Sequence, residues 1–349
     1  MRRRLTRLPS RGSPSPDPTP LQEGVPSEWL SRLASVVVVN WNGRQYLSAC
    51  LSGLAAQTYQ PTEVIVVDNG STDGSVELVQ EEFPWVRLVS SSTNLGFAGG
   101  CNLGLREARG AYLATLNNDA FAYPNWLEEM VGALESDSSV GMCASKVLAW
   151  DDAVAESAGI TVSWLGIAAE RLAGQPDRPE EEELVEVFGP SASAALYRRA
   201  MLDELGLFEE SFFCYLEDVD LAWRARNAGW RCLYVPTARV RHRGSATSGR
   251  GSALKRYYLA RNKPWTIARN YPSPYLPLLL PAIFLADLAA AAYALAFCAP
   301  TWEARRAVLR GRLDGWGCLG SALAQRRTLK RQHHLSARQK LKLLTPFAR

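Results

Sequence analysis

Two runs constrain the fold before anything else: ASVVVVN at residues 34–40 and TEVIVVDNGSTDGS at 62–75. Unbroken β-branched apolar residues suit a strand covered on both faces, as in a parallel sheet flanked by helices. A helical pattern separates them. In RQYLSACLSGLAAQ, residues 44–57, Leu47, Leu51, Leu54 and Ala55 recur at helical intervals. A short helix at 76–83, a third strand at 86–94, a helix at 98–108 and a fourth strand in YLATLNND, residues 112–119, continue the alternation. Short connections between such elements predict an α/β fold with an open, mostly parallel, Rossmann-like sheet. A chain of 349 residues, 47% of them hydrophobic, buries such a core with length to spare.

Each strand ends in polar residues, and ligands of open α/β sheets bind at that edge. Asp68 closes an apolar strand, where its carboxylate can accept from a pyrimidine N3–H or a ribose hydroxyl; DNGSTDGS also reads as a plain turn. NLGFAGGCNLG, residues 94–104, holds Gly96, Gly99, Gly100 and Gly104, which permit close backbone approach to a phosphate or sugar at a helix start. It matches neither a P-loop nor GxGxxG, which disfavours an NTPase and a dinucleotide dehydrogenase. In LNNDAF, residues 116–121, Asp119 either caps a turn or holds a metal.

Further on, a helix is expected at 124–136, a strand at 140–148 and a mobile acidic loop at 170–186. VEVFGPSASAALYRRAML reads as a strand followed by a helix. EDVDLAWRARNAGW, residues 217–230, reads as a helix ended by Gly229, with Asp220 paired to Arg224 one turn on, and RCLYVP as a closing strand. Residues 275–299 are long and apolar enough to span a bilayer. Asp287 in the middle and the breaks expected at Pro277 and Pro281 keep a re-entrant hairpin, an in-plane segment and a buried helical pair open as alternatives.

Charge is unevenly spread. Residues 301–349 carry twelve Lys and Arg against two acids, although the whole chain is only +4. A basic tail on a near-neutral body argues against nucleic acid and for an anionic membrane surface met by residues 273–349. Residues 1–30, basic and then Pro/Ser-rich, are expected to be disordered and lack the apolar stretch of a secretory signal. Seven scattered cysteines without a CxxC pair suggest neither structural zinc nor a disulfide framework.

VVVVNWNG, VVDNGSTDGS, NLGFAGGCNLG, LNNDAF and EDVDLAWR, in this order, resemble the inverting family 2 glycosyltransferases of the GT-A fold, nearest the rhamnosyltransferase-like branch. The resemblance covers about residues 34–245, continues more loosely through YYLARNKPWTIARNYP at 257–272, and implies a GT-A domain at 31–270, followed by a membrane-associated apolar segment and basic helical tail at 271–349. It implies roles residue by residue. Asn40, Trp41 and Asn42 line the nucleotide base, and Asp68 accepts from it beside Asn69 and Ser71. Asn94, Gly96 and Asn102 approach the ribose and diphosphate. The family's Asp-x-Asp metal motif falls on Asn117-Asn118-Asp119, so Asp119 is the one full anionic ligand, Asn118 a nearby contact, and His242 a candidate to complete the shell around Mg²⁺ or Mn²⁺. Asp218 is the implied catalytic base, with Glu217 beside it. Gly189, Ser191 and Ala192 contribute to the sugar and acceptor pocket.

The implied reaction moves a sugar, rhamnose favoured, from a nucleoside-diphosphate donor to a lipid-linked or polysaccharide acceptor at the cytoplasmic face of the cell membrane. A non-catalytic nucleotide-binding membrane scaffold on the same frame is the alternative. A nucleotidyltransferase is disfavoured because NWNGRQYL lacks a Gly/Arg/Lys-rich loop.

Overall fold

The computed structural model describes residues 27–178, 183–244, 252–299 and 301–346. The first half contains α1 (Ser27–Leu30), β1 (Ala34–Asn40), α2 (Arg44–Ala55), β2 (Thr62–Asn69), α3 (Ser75–Glu82), β3 (Arg87–Ser91), α4 (Gly96–Glu107) and β4 (Tyr112–Asn117). Then follow β5 (Ala120–Ala122), α5 (Trp126–Glu135), β6 (Val140–Ala149), β7 (Ala155–Ser157), β8 (Ile160–Val162), β9 (Ala168–Glu170), β10 (Val185–Val187), β11 (Ala194–Arg198) and α6 (Arg199–Leu205). The last part is α7 (Glu217–Ala228), β12 (Arg231–His242), α8 (Ala253–Asn270), α9 (Leu276–Tyr293), α10 (Trp302–Gly317), α11 (Leu319–Leu329) and α12 (Ala337–Lys342).

The β-branched runs feed two cores through the two-residue period of a strand. Val36, Val38, Val64 and Val66 face α2, α3 and α5. Val37, Ile65 and Val67 face α4 and the layer that includes α7. β4, β1, β2 and β3 are parallel neighbours, and their register aligns Asn40 with Asp68 and Val39 with Asn117. The polar strand ends therefore share one edge.

The expectation of a mostly parallel sheet is corrected. The order is β10-β12-β6-β11-β4-β1-β2-β3, and the sheet is mixed. β11 enters antiparallel to both β4 and β6, β10 is antiparallel to β12, and β6 and β12 are parallel. After β4 the chain largely leaves the strand–helix–strand pattern. It makes an excursion through β7 to β10 and returns in the opposite direction. The run read as one strand before a helix is thus two, β10 and β11, joined by the turn at 188–193.

The closing strand is also longer than expected. β12 continues past Pro236 through a register shift between Val235 and Arg239, so His242 ends a strand instead of lying in a loop. Part of the expected mobile loop is tied down, because Asp177 pairs with the buried Lys146 and with Arg239. Residues 179–182 of that loop lie outside the described residues, as do residues 1–26 of the expected disordered N-terminus; residues 27–30, also expected to be disordered, form α1.

Pro277 and Pro281 do not break the apolar segment. Pro277 lies in the first turn of α9, where its missing N–H costs nothing, and the helix runs on through Pro281. The hairpin alternative is therefore set aside. Residues 276–297 are long and apolar enough to cross a membrane by length and composition, and little of this stretch is buried. Asp287 faces inward, toward Arg312 of α10 and Lys263 of α8. The basic tail is partly internal: buried Arg326 donates to the carbonyls of Ala268 and Tyr271 and to Ser273. The chain then returns to the sheet domain, where Thr345 N donates to Val162 O at 2.9 Å.

Candidate active site

The end of β1 and the loop after β2 bond to each other. Asn42, at φ 50°, accepts from Thr72 N through Oδ1 at 2.8 Å and donates its backbone N–H to Ser71 Oγ at 2.9 Å. Asn40 also donates to Ser71 Oγ, at 3.2 Å, and accepts from Asn118 Nδ2 at 2.8 Å. Gly43 is required here, because a Cβ would run into Asn118 and Asn40. Trp41 is left 40% exposed, free to receive a ring. Asp68 Oδ2 accepts from Ser71 N at 3.2 Å, while Oδ1 is buried with no hydrogen-bond partner in the structure. Such an orphaned acceptor costs free energy until a donor arrives.

The Gly-rich start of α4 is shaped from within. Asn69 donates to Asn94 Oδ1 and Gly96 O and accepts from Leu95 N, and Asn94 accepts from Gly96 N. Gly96 takes φ +76° and has no room for a Cβ, because Phe213 lies against it. Asn102 departs from the expected role. It is buried, spends both amide protons on Phe208 O and Glu210, and accepts from Phe208 N. It stitches α4 to the segment before α7 and has no proton left for a diphosphate.

The proposed metal corner is assembled by strand register. β5 pairs antiparallel with β12, setting His242 opposite Ala120 and bringing its Nε2 to 3.1 Å from Asp119 Oδ1. Nδ1 is held by Glu156 Oε2 at 2.7 Å. Burial works to lower the His242 pKa, but the hydrogen bonds to Asp119 and Glu156 outweigh it and hold it at about 9. Asn117 Nδ2 is also 3.1 Å from Nε2. Among the described residues no cluster of three or more His, Cys, Asp or Glu forms a cation cage. The donor set is one carboxylate and one imidazole, backed by a second carboxylate. It fits a divalent ion that displaces the Nε2 proton of His242 and takes its remaining oxygens from a bound diphosphate and water. Of the neighbouring arginines, Arg241 is paired with Asp152, and Arg243 stacks 3.8 Å from the Trp150 ring centroid.

Asp218 lies at the start of α7. Its carboxylate accepts from Ala192 N at 3.2 Å and from its neighbour Val219 N at 2.8 Å. Burial raises its pKa against these bonds. Glu217 is buried more deeply, and its Oε2 lacks a partner. Burial, then the charge of Asp218, pushes it well above the usual carboxylate range. Of the two, Asp218 is the carboxylate held by N–H donors, so the proton of the pair resides on Glu217. Asp220 faces away. It is buried against Arg224, Arg269 and Asn270, so the expected Asp220–Arg224 pair is present and extends to α8.

The turn at 191–193 connects the two acidic corners. Ala192 holds Asp218, Ser193 O accepts from Asn117 N at 2.8 Å, and Asn117 touches His242. Ser191 is beside Ser193 and contacts Glu170. Gly189 has a packing reason to be small, because α7 lies over it at Ala222. Trp223, T-shaped on Phe188 at 4.9 Å, is core, whereas Trp164 is 46% exposed.

Three residues escaped the sequence reading. Glu156 and Glu170 lie on three-residue strands with no motif around them. Glu170 bonds Ser157 at 2.5 Å; burial, followed by the Asp218 charge, raises its pKa to about 7. The third is Asn262 of α8, which donates to the carbonyls of Phe212, Cys214 and Tyr215. That loop holds Phe213, Tyr215 and Leu216 at positive φ just before Asp218. Nothing local in YYLARNKPW announces the role.

The Glycosyl transferase family 2 model matches residues 35–206. An N-acetylglucosaminyl-diphospho-decaprenol L-rhamnosyltransferase of Mycobacterium tuberculosis (strain CDC 1551 / Oshkosh) is 29% identical over 337 residues, covering 90% of this chain and 99% of the relative. The mannosyltransferase PcManGT from Pyrobaculum calidifontis, solved with GDP-Man and Mn²⁺, shares the fold at TM-score 0.51 and 22% identity, covering 91% of this chain and 88% of that one. GalNAc-T7, solved with UDP, GalNAc and Mn²⁺, aligns at TM-score 0.58 and 16% identity, covering 87% of this chain and 58% of that one.

Proposed function

We propose, from the premise that this chain is a glycosyltransferase carrying a family 2 domain, that it moves a sugar, L-rhamnose favoured, with inversion. The donor is a nucleoside-diphosphate sugar and the acceptor a hydroxyl of a polyprenyl-diphosphate-linked glycan. The full-length similarity to a rhamnosyltransferase whose named acceptor is N-acetylglucosaminyl-diphospho-decaprenol supports both classes.

Asp218 carries the mechanistic reading: a carboxylate with its oxygens on backbone N–H groups, joined through the 191–193 turn to the Asp119–His242 corner. The acceptor oxygen attacks the anomeric carbon from the face opposite the diphosphate. Its proton passes to Asp218, and the bonding pair of the anomeric C–O bond leaves on the diphosphate oxygen. Asp119 and His242 are the residues that would hold Mg²⁺ or Mn²⁺, which supplies Lewis-acid stabilisation to the departing diphosphate. Asn40, Trp41, Asn42, Ser71 and the unpartnered oxygen of Asp68 bind the nucleoside. Asn69, Asn94 and Gly96 shape the loop beside it, and Ser191, Ala192 and Glu217 line the acceptor side.

Residues 271–349 form a membrane-facing layer behind the glycosyltransferase domain at 31–270, and the protein works at the cytoplasmic face of the cell membrane. The exposed apolar surface of α9 beside the basic α10 and α11 supports this.

The test uses the full chain in detergent with nucleoside-diphosphate rhamnose and polyprenyl-diphospho-N-acetylglucosamine. Transfer is expected with Mn²⁺ or Mg²⁺ and is expected to stop on chelation. No release of nucleoside diphosphate across a panel of donors and lipid-linked acceptors would defeat the reading.

A further inference from the structure

α8, α9, the end of α10 and the start of α11 line a partly open apolar cavity of about 190 Å³. Ile267, Leu276, Leu280, Ile283, Trp316 and Leu323 form most of its wall. Lys263 and Asp287 are the charged residues of its wall, and Arg312 behind them tips the local balance to positive. Lys263 lines the cavity and pairs with Asp287 at 3.6 Å, while Arg312 bonds the same carboxylate at 3.0 Å. Two cations share one anion, and all three side chains are largely withdrawn from water. An additional negative group placed here is electrostatically favoured.

The cavity is not closed off from solvent or from lipid. Leu280 is 41% exposed and Leu323 47%, and the outer face of α9 continues the apolar surface through Leu278 and Leu285. Nor is it remote from the chemistry. α8 is the shared wall: Asn262, adjacent to Lys263, holds the carbonyls of the loop that leads into Asp218. An α-helix with its side chains is about 10–12 Å across, a span that a diphosphate with one attached sugar covers in order of magnitude.

From the apolar wall, the surplus cation and this shared helix, we infer that the cavity is the seat of the acceptor's lipid tail. Its first isoprene stretch lies between α8, α9 and α11, and its phosphate lies toward Lys263 and Arg312. This deepens the proposed function and rests on a lipid-linked acceptor. It adds a recognition site for the chain itself, separate from contact with bulk bilayer. Acceptors of the same sugar but different chain length should then differ in KM through these residues.

Two measurements on the full chain test it. Leu280→Trp and Leu323→Trp fill the cavity from partly exposed positions, which spares the fold. Each is expected to raise KM about tenfold for a decaprenyl-diphosphate acceptor, while leaving unchanged KM for the donor and for an acceptor whose diphosphate carries a methyl group in place of the chain. Equal effects on both acceptors, or none on either, overturn the inference. The second measurement is photocrosslinking with decaprenyl phosphate bearing a diazirine on its first isoprene units, which reads the site without turnover. Labelling of α8, α9 and α11 that Lys263→Met weakens is expected. Equal labelling by photoreactive phosphatidylglycerol assigns the cavity to bulk lipid, and crosslinks between two copies assign it to self-association; either result overturns the inference. Wild-type protein that transfers to no lipid-linked acceptor but is still labelled at these helices defeats the proposed reaction and overturns the acceptor role, leaving the cavity a polyprenyl-phosphate site.

Discussion

The two halves of the sheet handle polar groups in opposite ways. In the parallel half, β1, β2 and the start of α4 carry neutral side chains that satisfy one another: Asn40 with Ser71 and Asn118, Asn42 with Thr72, Asn69 with Asn94. Asp68 Oδ1 is the unsatisfied buried atom of that cluster. In the mixed half, buried ionisable groups crowd together, and His242, Glu170, Glu217 and Asp218 all have displaced pKa values. In the reaction proposed above, the first arrangement is the mould for a nucleotide. The second stores charge where that reaction has a proton move and a diphosphate leave.

The comparison breaks first at Asp218. If the mixed half does the chemistry, Asp218→Asn keeps one of the two N–H contacts through its remaining carbonyl oxygen but loses the base. Turnover should fall about 10²–10⁴-fold, with donor affinity, measured by calorimetry, unchanged. Near-normal turnover would move the base elsewhere, and a loss of donor binding would erase the division between the halves.

Asp68 is the matching test for the parallel half. Asp68→Ala removes the acceptor that lacks a partner. A lost hydrogen bond to a charged group is worth roughly 1.5–3 kcal/mol, so donor KM should rise by about one to two orders of magnitude while kcat changes little. A fall in kcat at constant KM would mean that Asp68 acts in the transition state.

The pH profile sharpens the contrast. Asp218 must be ionised to accept a proton, and burial holds its pKa above the usual range. The acid limb of kcat/KM should therefore lie above that of an ordinary aspartate, with activity rising as pH rises through it. Glu170 gives up its proton only near pH 7, with Asp218 already charged, so Glu170→Gln should leave that limb in place. Stability should respond instead. Because the folded pKa of Glu170, about 7, is above the value of a free glutamate, wild type loses stability as pH rises from about 4.5 to 7. Thermal unfolding of Glu170→Gln should lack that loss; matching slopes for the two proteins would remove Glu170 from the coupled group.

The same division decided what could be read in advance. In the parallel half each motif directly follows its strand, so the edge carrying Asn40, Asp68 and Asn117 was legible from order and period. Asp218 was legible for a similar reason, since it opens a helix in a recognisable run. Glu156 and Glu170 were not, because three-residue strands have no periodicity and their partners are distant in sequence. His242 was found but misplaced, since a strand that passes a proline by a register shift looks like a strand and a loop. Asn102 and Gly189 are the reverse case. An Asn and a Gly inside site-like motifs have packing roles, and only the approach of the 208–210 segment and of α7 reveals them.

The smallest expected effect is at Asn117, where the metal motif of the family has an acid. The Asn117 amide is 3.1 Å from His242 Nε2, beside Asp119. Asn117→Asp replaces a donor with a second anion at the same distance from the imidazole. It neither removes a ligand nor alters the backbone bond from Asn117 N to Ser193 O that ties the corner to the turn carrying Ala192. Turnover at saturating Mn²⁺ should therefore stay within about threefold, because a diphosphate already supplies the charge that a missing carboxylate would add. The Mn²⁺ concentration giving half-maximal rate should fall, since the variant offers the ion another oxygen before nucleotide arrives. A large loss of turnover would show that the amide itself is needed to hold His242. The corner would then be a hydrogen-bonded array like the parallel half, and the contrast between the two halves would fail at the place where they meet.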